Sequence, residues 1–297
     1  MRADRVAAIL RKALVPFVGV RFVLPLLIPA LVGCAGKPWT TPVTDLEMIA
    51  VTRTFGEMRE RDASCFCCVD AKASLFWDGP GEDRSVSGFL QLMLPSSVKF
   101  VVTNPLGQPL YAMVTDGVEF QSINTTLKQA VTGELSALML QYDIPQSLLS
   151  ADWGYWLTGR LHEQGATMKA ISRDESGRGV WITMRYPGEG ALAESHLLIE
   201  PDGKRLLSRV LVDQEGETMA TIAYEHGGGQ DDCMVADKIT ITDLPYGSKL
   251  NIDLTGILTD RVFTPANFRL KVPVNYEVLV AGERGRVLMG GEEESED

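Results

Sequence analysis

Val69-Asp70-Ala71-Lys72-Ala73-Ser74-Leu75-Phe76-Trp77 is the stretch on which the fold turns. Val69, Ala71, Ala73, Leu75 and Trp77 alternate with Asp70, Lys72, Ser74 and Phe76, a period of two that gives a strand with unlike faces. Asp78-Gly79-Pro80-Gly81 supplies turn residues, and Val86 to Leu94 resumes as the next strand. Further strand-like runs follow at short spacing: 98–103, 109–115, 118–123, 167–172, 179–186, 192–200, 206–213, 218–224, 235–242 and 250–256. Asp-Gly, Asn-Pro and Pro-Asp-Gly turns lie between them, the signature of a meandering antiparallel sheet. A sheet of so many strands must curl or close. The fold class expected is therefore mainly β with a few helices.

Working outward, Thr44-Asp45-Leu46-Glu47 has the spacing of a capping box, and Met48, Val51, Phe55 and Met58 recur behind it at helical intervals. A second interruption of the sheet is expected at Gly133 to Asp143, with Leu135, Leu138, Met139 and Tyr142 on one stripe. Another helix is expected at Ser147 to Leu157, with Leu149, Trp153 and Trp156 on one stripe. Two short apolar-faced helices inside a sheet protein must cover something, either an ordinary core or a cavity, and the pattern does not separate the two because both are lined by the same residue types. The candidate lid residues are Leu138, Trp153, Tyr155 and Trp156. The candidate sheet wall is Leu92, Leu94, Phe100, Val102, Leu110 and Met113. Taken singly, each reads as a packed core residue before it reads as a ligand contact.

Upstream lies an address. Arg2, Arg5, Arg11, Lys12 and Arg21 precede the apolar run Phe22 to Val32, too short to span a bilayer as a helix but long enough for a signal-peptide core. The run ends in Leu31-Val32-Gly33-Cys34, the mark of a bacterial lipoprotein precursor; an uncleaved amphipathic anchor is the alternative. Residues 1–33 are then a signal peptide, Cys34 carries acyl chains on sulfur and nitrogen, and 34–43 form a tether. Several acyl chains at ~0.8 kcal/mol per buried methylene hold a protein on a membrane almost permanently. Ala35 in place of Asp after the cysteine is expected to send it to the outer membrane, on its periplasmic face. A single large domain is expected over 44–283 and a disordered acidic tail over 284–297, ending Glu292-Glu293-Glu294-Ser295-Glu296-Asp297. The formal net charge is -11, so neither nucleic acid nor an anionic head group is an expected partner through general electrostatics.

Phe55 to Arg61, the strand ending Phe76-Trp77, Val102-Thr103-Asn104-Pro105-Leu106-Gly107, and Ile144-Pro145 followed by Leu148, Trp156, Leu157 and Gly159 resemble, in that order, the LolB family of outer-membrane lipoprotein receptors. Ile252 to Pro273, with Thr264-Pro265-Ala266-Asn267-Phe268 and Leu270-Lys271-Val272-Pro273, is similar to the closing strands of the wider LolA/LolB-like superfamily. The resemblance covers most of residues 50–275. It implies an incomplete barrel of curved antiparallel sheet, helices plugging its open side, and a hydrophobic cavity for lipid or lipoprotein acyl chains. It further implies a periplasmic LolA-like carrier as partner and a membrane-inserting leucine on a protruding loop, which falls on Leu106. The chain departs from the family in its length, its cysteine cluster and its acidic tail.

Cys65, Cys67 and Cys68, with the distant Cys233, are the one constellation that invites chemistry. Outside the cytoplasm a disulfide from one of the three to Cys233 is expected, the connectivity being unreadable from sequence. Cys-x-Cys-Cys on a strand points neighbours to opposite faces and lacks the usual two-residue metal loop, so no metal is expected. Nothing calls for a cofactor. His162-Glu163 lacks a second histidine at zincin spacing, and Ser96-Ser97-Val98-Lys99 lacks the companion motifs of a serine acyl-enzyme. No enzyme is expected. Three readings remain: a lipid-handling carrier or receptor, a structural or adaptor lipoprotein of an envelope complex, and an enzyme acting on envelope lipid or glycan.

Overall fold

The computed structural model describes residues 37–141, 153–163, 165–188, 192–227 and 233–281. The expected signal peptide, Cys34 and the acidic tail lie outside these residues. Helix α1 (Asp45–Ser64) starts at a capping box: the Glu47 N–H donates to the Thr44 hydroxyl, and the Thr44 N–H donates to the Glu47 carboxylate at 2.8 Å. Sheet follows through β2 (Cys68–Gly79), β3 (Glu82–Met93), β4 (Ser97–Thr103), β5 (Pro109–Thr115), β6 (Glu119–Asn124) and β7 (Gln129–Glu134). Helices α2 (Leu135–Gln141) and α3 (Trp153–Trp156) interrupt it. It resumes as β8 (Thr167–Arg173), β9 (Val180–Arg185), β10 (Glu194–Ile199), β11 (Leu206–Val212), β12 (Thr218–Glu225), β13 (Lys238–Thr242) and β14 (Lys249–Leu258).

Two short strands complete the sheet at its margins, β1 (Thr41–Pro42) beside β8 and β15 (Glu277–Val280) beside β7. The order is β1-β8-β9-β10-β11-β12-β13-β14-β2-β3-β4-β5-β6-β7-β15, antiparallel except for β7 with β15. The sheet is unclosed, its two margins unpaired with each other, and it is strongly curved: one core joins inner-face residues of β2, β3 and β4 to those of β9 through β14, which a flat sheet would hold far apart. Phe55 and Met58 of α1 and Trp156 of α3 lie in that core.

Three departures from the sequence reading have local causes. Gln129 to Glu134 pair with β6, so Gly133 ends a strand rather than starting a helix, and α2 begins at Leu135. At the second expected helix, 147–157, the described part is helical over Trp153–Trp156, and 142–152 lie outside the described residues. The expected strand start at Val235 moves to Lys238, because Val235 and Ala236 are buried in a loop where the Ala236 N–H donates to the Thr158 carbonyl at 3.0 Å.

The segment read as a tether is packed from Lys37 onward. Trp39 stacks on His196 at 3.9 Å and meets Trp181 edge-on at 5.3 Å, closing a small outer-face core of Trp181, Leu198, Val210 and Val212. Thr41 and Pro42 then pair with Arg173 and Ser172. After β14 the chain crosses the outer face of the opposite half. Phe268 is buried and the Leu270 N–H donates to the Gln121 side chain at 3.0 Å before β15 is reached. Both ends of the described chain thus brace the outside of the curved sheet.

Candidate functional site

Antiparallel pairing sorts the turns between two ends of the half-barrel. One end carries the turns after β2, β4, β6, β9, β11 and β13; the other carries those after β3, β5, β8, β10 and β12, with α2 and α3. On β2 to β4 and on β13 and β14 burial of the inner face falls from the second end to the first, whereas on β9, β10 and β11 it stays complete, Met184, Ser195 and Leu211 being buried near the first end. Along β2, Val69, Ala71 and Ala73 are buried, whereas Leu75 and Trp77 are half-buried. Along β4, Val98 and Phe100 are buried and Val102 is half-buried; along β13 and β14, Ile239, Ile252 and Leu254 are buried while Ile241 and Leu250 are half-buried. On β3, Leu92 and Leu90 are buried, and Val86, the partner of Leu75, is 39% exposed.

The buried end is closed by the first part of a plug, residues 153–163, whose last residue reaches the inner face of β9 to β11 near the first end. The Trp153 indole donates to the Ser96 carbonyl at 2.9 Å and the Gly154 N–H to the Pro95 carbonyl at 2.9 Å, so α3 is clamped on the β3–β4 turn. A Cβ at Gly154 would stand 2.3 Å from the Pro95 oxygen, which is why glycine is required there. Beyond it the Leu161 N–H donates to Asp62 of α1, at 2.8 Å, and Arg160 donates to the Phe66 carbonyl at 3.0 Å with its guanidinium over the Phe66 ring. Glu163 reaches the fully buried Arg209 on β11 at 2.5 Å and accepts from the Tyr186 and Ser195 hydroxyls. Burial would lower the Arg209 pKa, but the facing Glu163 carboxylate raises it on balance, so the guanidinium is charged. Burial and the same carboxylate push Tyr186 up, so its phenol stays protonated. The disulfide Cys65–Cys233 fastens the end of α1 to the segment before β13. Cys67 is an exposed thiol, and Cys68 is buried with its pKa pushed up to about 11 by that burial.

At the half-buried end stands a built loop. Asn104 Oδ1 accepts from the N–H groups of Leu106 and Gln108, each at 2.9 Å, and the Asn104 amide donates to the Gln108 side chain at 3.0 Å. Gly107 takes φ 79°, which a residue with a Cβ rarely adopts. The result is a turn that holds Leu106 outward, 84% exposed.

The structure therefore divides the candidate wall and lid. Leu92, Phe100 and Trp156 belong to the sealed core, Val102 and Trp153 pack against it half-buried, and Leu94, Met113 and Leu138 are half-buried outside that cluster. Leu110 lies near an irregularity of the β4–β5 ladder and is 40% exposed. Sequence reading missed Leu75, Trp77, Val86, Ile241 and Leu250 as lining of the open end. Their alternation was visible, but their depth along the barrel was not. It also missed the Arg209–Glu163 pair, since nothing local marks two charges that meet across the fold. A hollow of about 800 Å³ on the outer face, beside Trp39 and His196, is bordered by Lys169, Arg185 and Glu194 and is too polar to suit acyl chains. Among the described residues no group of three His, Cys, Asp or Glu side chains is placed to hold a metal ion, and no helix is long and apolar enough to cross a membrane.

No family model matches the sequence, and no curated protein matches it. Solved structures do match the fold. A LolA-superfamily protein from Nitrosomonas europaea aligns over 73% of this chain and 97% of its own, with 12% identity and a TM-score of 0.50. A domain described as an outer-membrane lipoprotein-sorting protein, from Vibrio parahaemolyticus, aligns over 73% and 95% at 10% identity and 0.52. A DUF1329-family protein from Desulfovibrio piger aligns over 77% and 98% at 12% identity and 0.54. At such identities the likeness is one of fold: a large, curved, unclosed sheet of the LolA-like kind.

Proposed function

We propose that this chain is a non-catalytic envelope lipoprotein, anchored through Cys34 at the periplasmic face of the outer membrane, that takes acyl chains against the open end of its half-barrel. Its role is then in lipoprotein or lipid transfer to that membrane, with cargo arriving from a periplasmic LolA-like carrier. The observation that carries this reading is the burial gradient: Leu75, Trp77, Val102, Ile241 and Leu250 leave apolar surface half-covered at one end of an otherwise filled interior. Acyl methylenes placed there leave water at about 0.8 kcal/mol each, and a head group stays outside, so few polar contacts are needed. Leu106, held outward at the same end, fits the membrane-inserting role that the family resemblance assigns to it. The filled opposite end favours a second reading, an adaptor lipoprotein that uses only its surface.

Native mass spectrometry of the chain from Lys37 onward, a compact unit, isolated from bacterial envelope without detergent, tests the proposal. A stoichiometric acyl-chain ligand, lost in Leu250→Asn, is the expected result. A ligand-free protein that also refuses a fluorescent fatty acid leaves the adaptor reading.

A further inference from the structure

Three observations coincide at the open end. Leu106, Leu127 (63% exposed) and Tyr246 (76% exposed) occupy the turns after β4, β6 and β13, all at that end. The non-glycine residues with left-handed backbone among the described residues are Lys128, Asp243 and Tyr246, with φ of 52°, 59° and 60°, and all three lie in two of these same turns. Such conformations cost on the order of 1 kcal/mol each and persist where the surrounding structure imposes them. Third, Lys37 borders the same hollow as Gly188 and Gly216, in the turns after β9 and β11, so the chain enters the domain at this end too. Cys34 is three residues upstream in the sequence.

We propose that the three turn tips Leu106, Leu127 and Tyr246 form a docking surface for the lipid bilayer that holds the protein's own anchor, so that the open end faces that bilayer. The occupant is a membrane because the anchored end of the chain emerges there, and because two aliphatic tips with a phenol suit the headgroup boundary, where an apolar body is buried and a polar tip stays wet. With a net charge of -11, contact with the bilayer is apolar insertion and not attraction to anionic lipid. This rests on the reading of Cys34 as the acylated residue and extends the surface beyond Leu106. It also gives the transfer a geometry, in which a chain leaving the open end passes directly into the membrane.

The test uses the mature acylated protein in vesicles of phosphatidylcholine and phosphatidylethanolamine, with a photoreactive benzophenone amino acid placed singly at positions 106, 127 and 246. Positions 118 and 262 serve as comparison, since Val118 and Val262 are exposed at the opposite end. Lipid adducts at the three tips at least tenfold above those at 118 and 262 are expected. Equal yields, or higher yields at 118 and 262, overturn the proposal, as does a protein whose mass shows no acyl chains. Fatty-acid binding by the same samples separates it from the carrier reading: binding without tip adducts overturns the docking surface alone, and tip adducts without binding keep the docking surface and remove the carrier.

Discussion

The two ends of the half-barrel are made from the same strands and differ in what covers them. At the closed end the inner face meets α1, the plug 153–163 and a disulfide, and every inner residue of β2 from Val69 to Ala73 is buried. At the open end the same face continues with Leu75 and Trp77, and no comparable plug among the described residues covers them. The difference teaches that one strand can serve stability over its first half and, on the proposed reading, ligand binding over its second, with no change in residue type to mark the boundary.

The largest effect is expected at the ion pair that ties the plug to the filled β9–β11 side of the barrel. Arg209→Met leaves the Glu163 carboxylate buried without its partner and should cost about 3–5 kcal/mol in urea unfolding. A small loss would show that the pair is not sealed from water. Next, Leu92→Ala should cost about 2–5 kcal/mol, the loss expected in a filled core, and Leu75→Ala only about 1 kcal/mol, since its side chain is half in water. Equal losses would erase the distinction between the ends. A smaller effect comes from acid. Burial holds His196 and His226 down to about 4, against an ordinary value of 6.5, so the unfolded chain takes up these protons first. Their contribution is complete above pH 6.5 and is lost as the pH falls through 6.5 toward 4. The melting temperature should drop across that window, and drop less in His196→Gln. Smallest in stability is Leu106→Glu, within about 0.5 kcal/mol of the parent, while transfer of a lipoprotein to outer-membrane vesicles should be abolished; normal transfer would detach the loop from the function.

Much of the sheet was legible. The alternation at Val69–Trp77 and the turn residues after it fixed β2 and its hairpin, because side-chain period is a local property. The strands that escaped, β1, β7 and β15, are short, marginal or polar. Gln129–Glu134 is a strand because β6 offers it a partner, which no local pattern announces. The site was less legible for the same reason. Leu92 and Leu75 look alike in sequence, and only the helix and plug that cover one and not the other tell them apart. The Cys65–Cys233 pairing likewise depends on the end of α1 meeting the segment before β13, a long-range event.

The seam between β2 and β14 has a consequence for how the chain comes to be folded. Ile252 opposes Leu75 and Leu254 opposes Ala73, so the strand that is made first after α1 waits for nearly the last one before that edge is satisfied. Contacts so distant along the chain slow folding, and until they form β2 presents an unpaired, apolar edge able to pair with other chains. On the proposed export across a membrane from the N-terminus, the nascent chain would carry that edge through most of its delivery and be a client for whatever holds unfolded proteins apart in the compartment it enters.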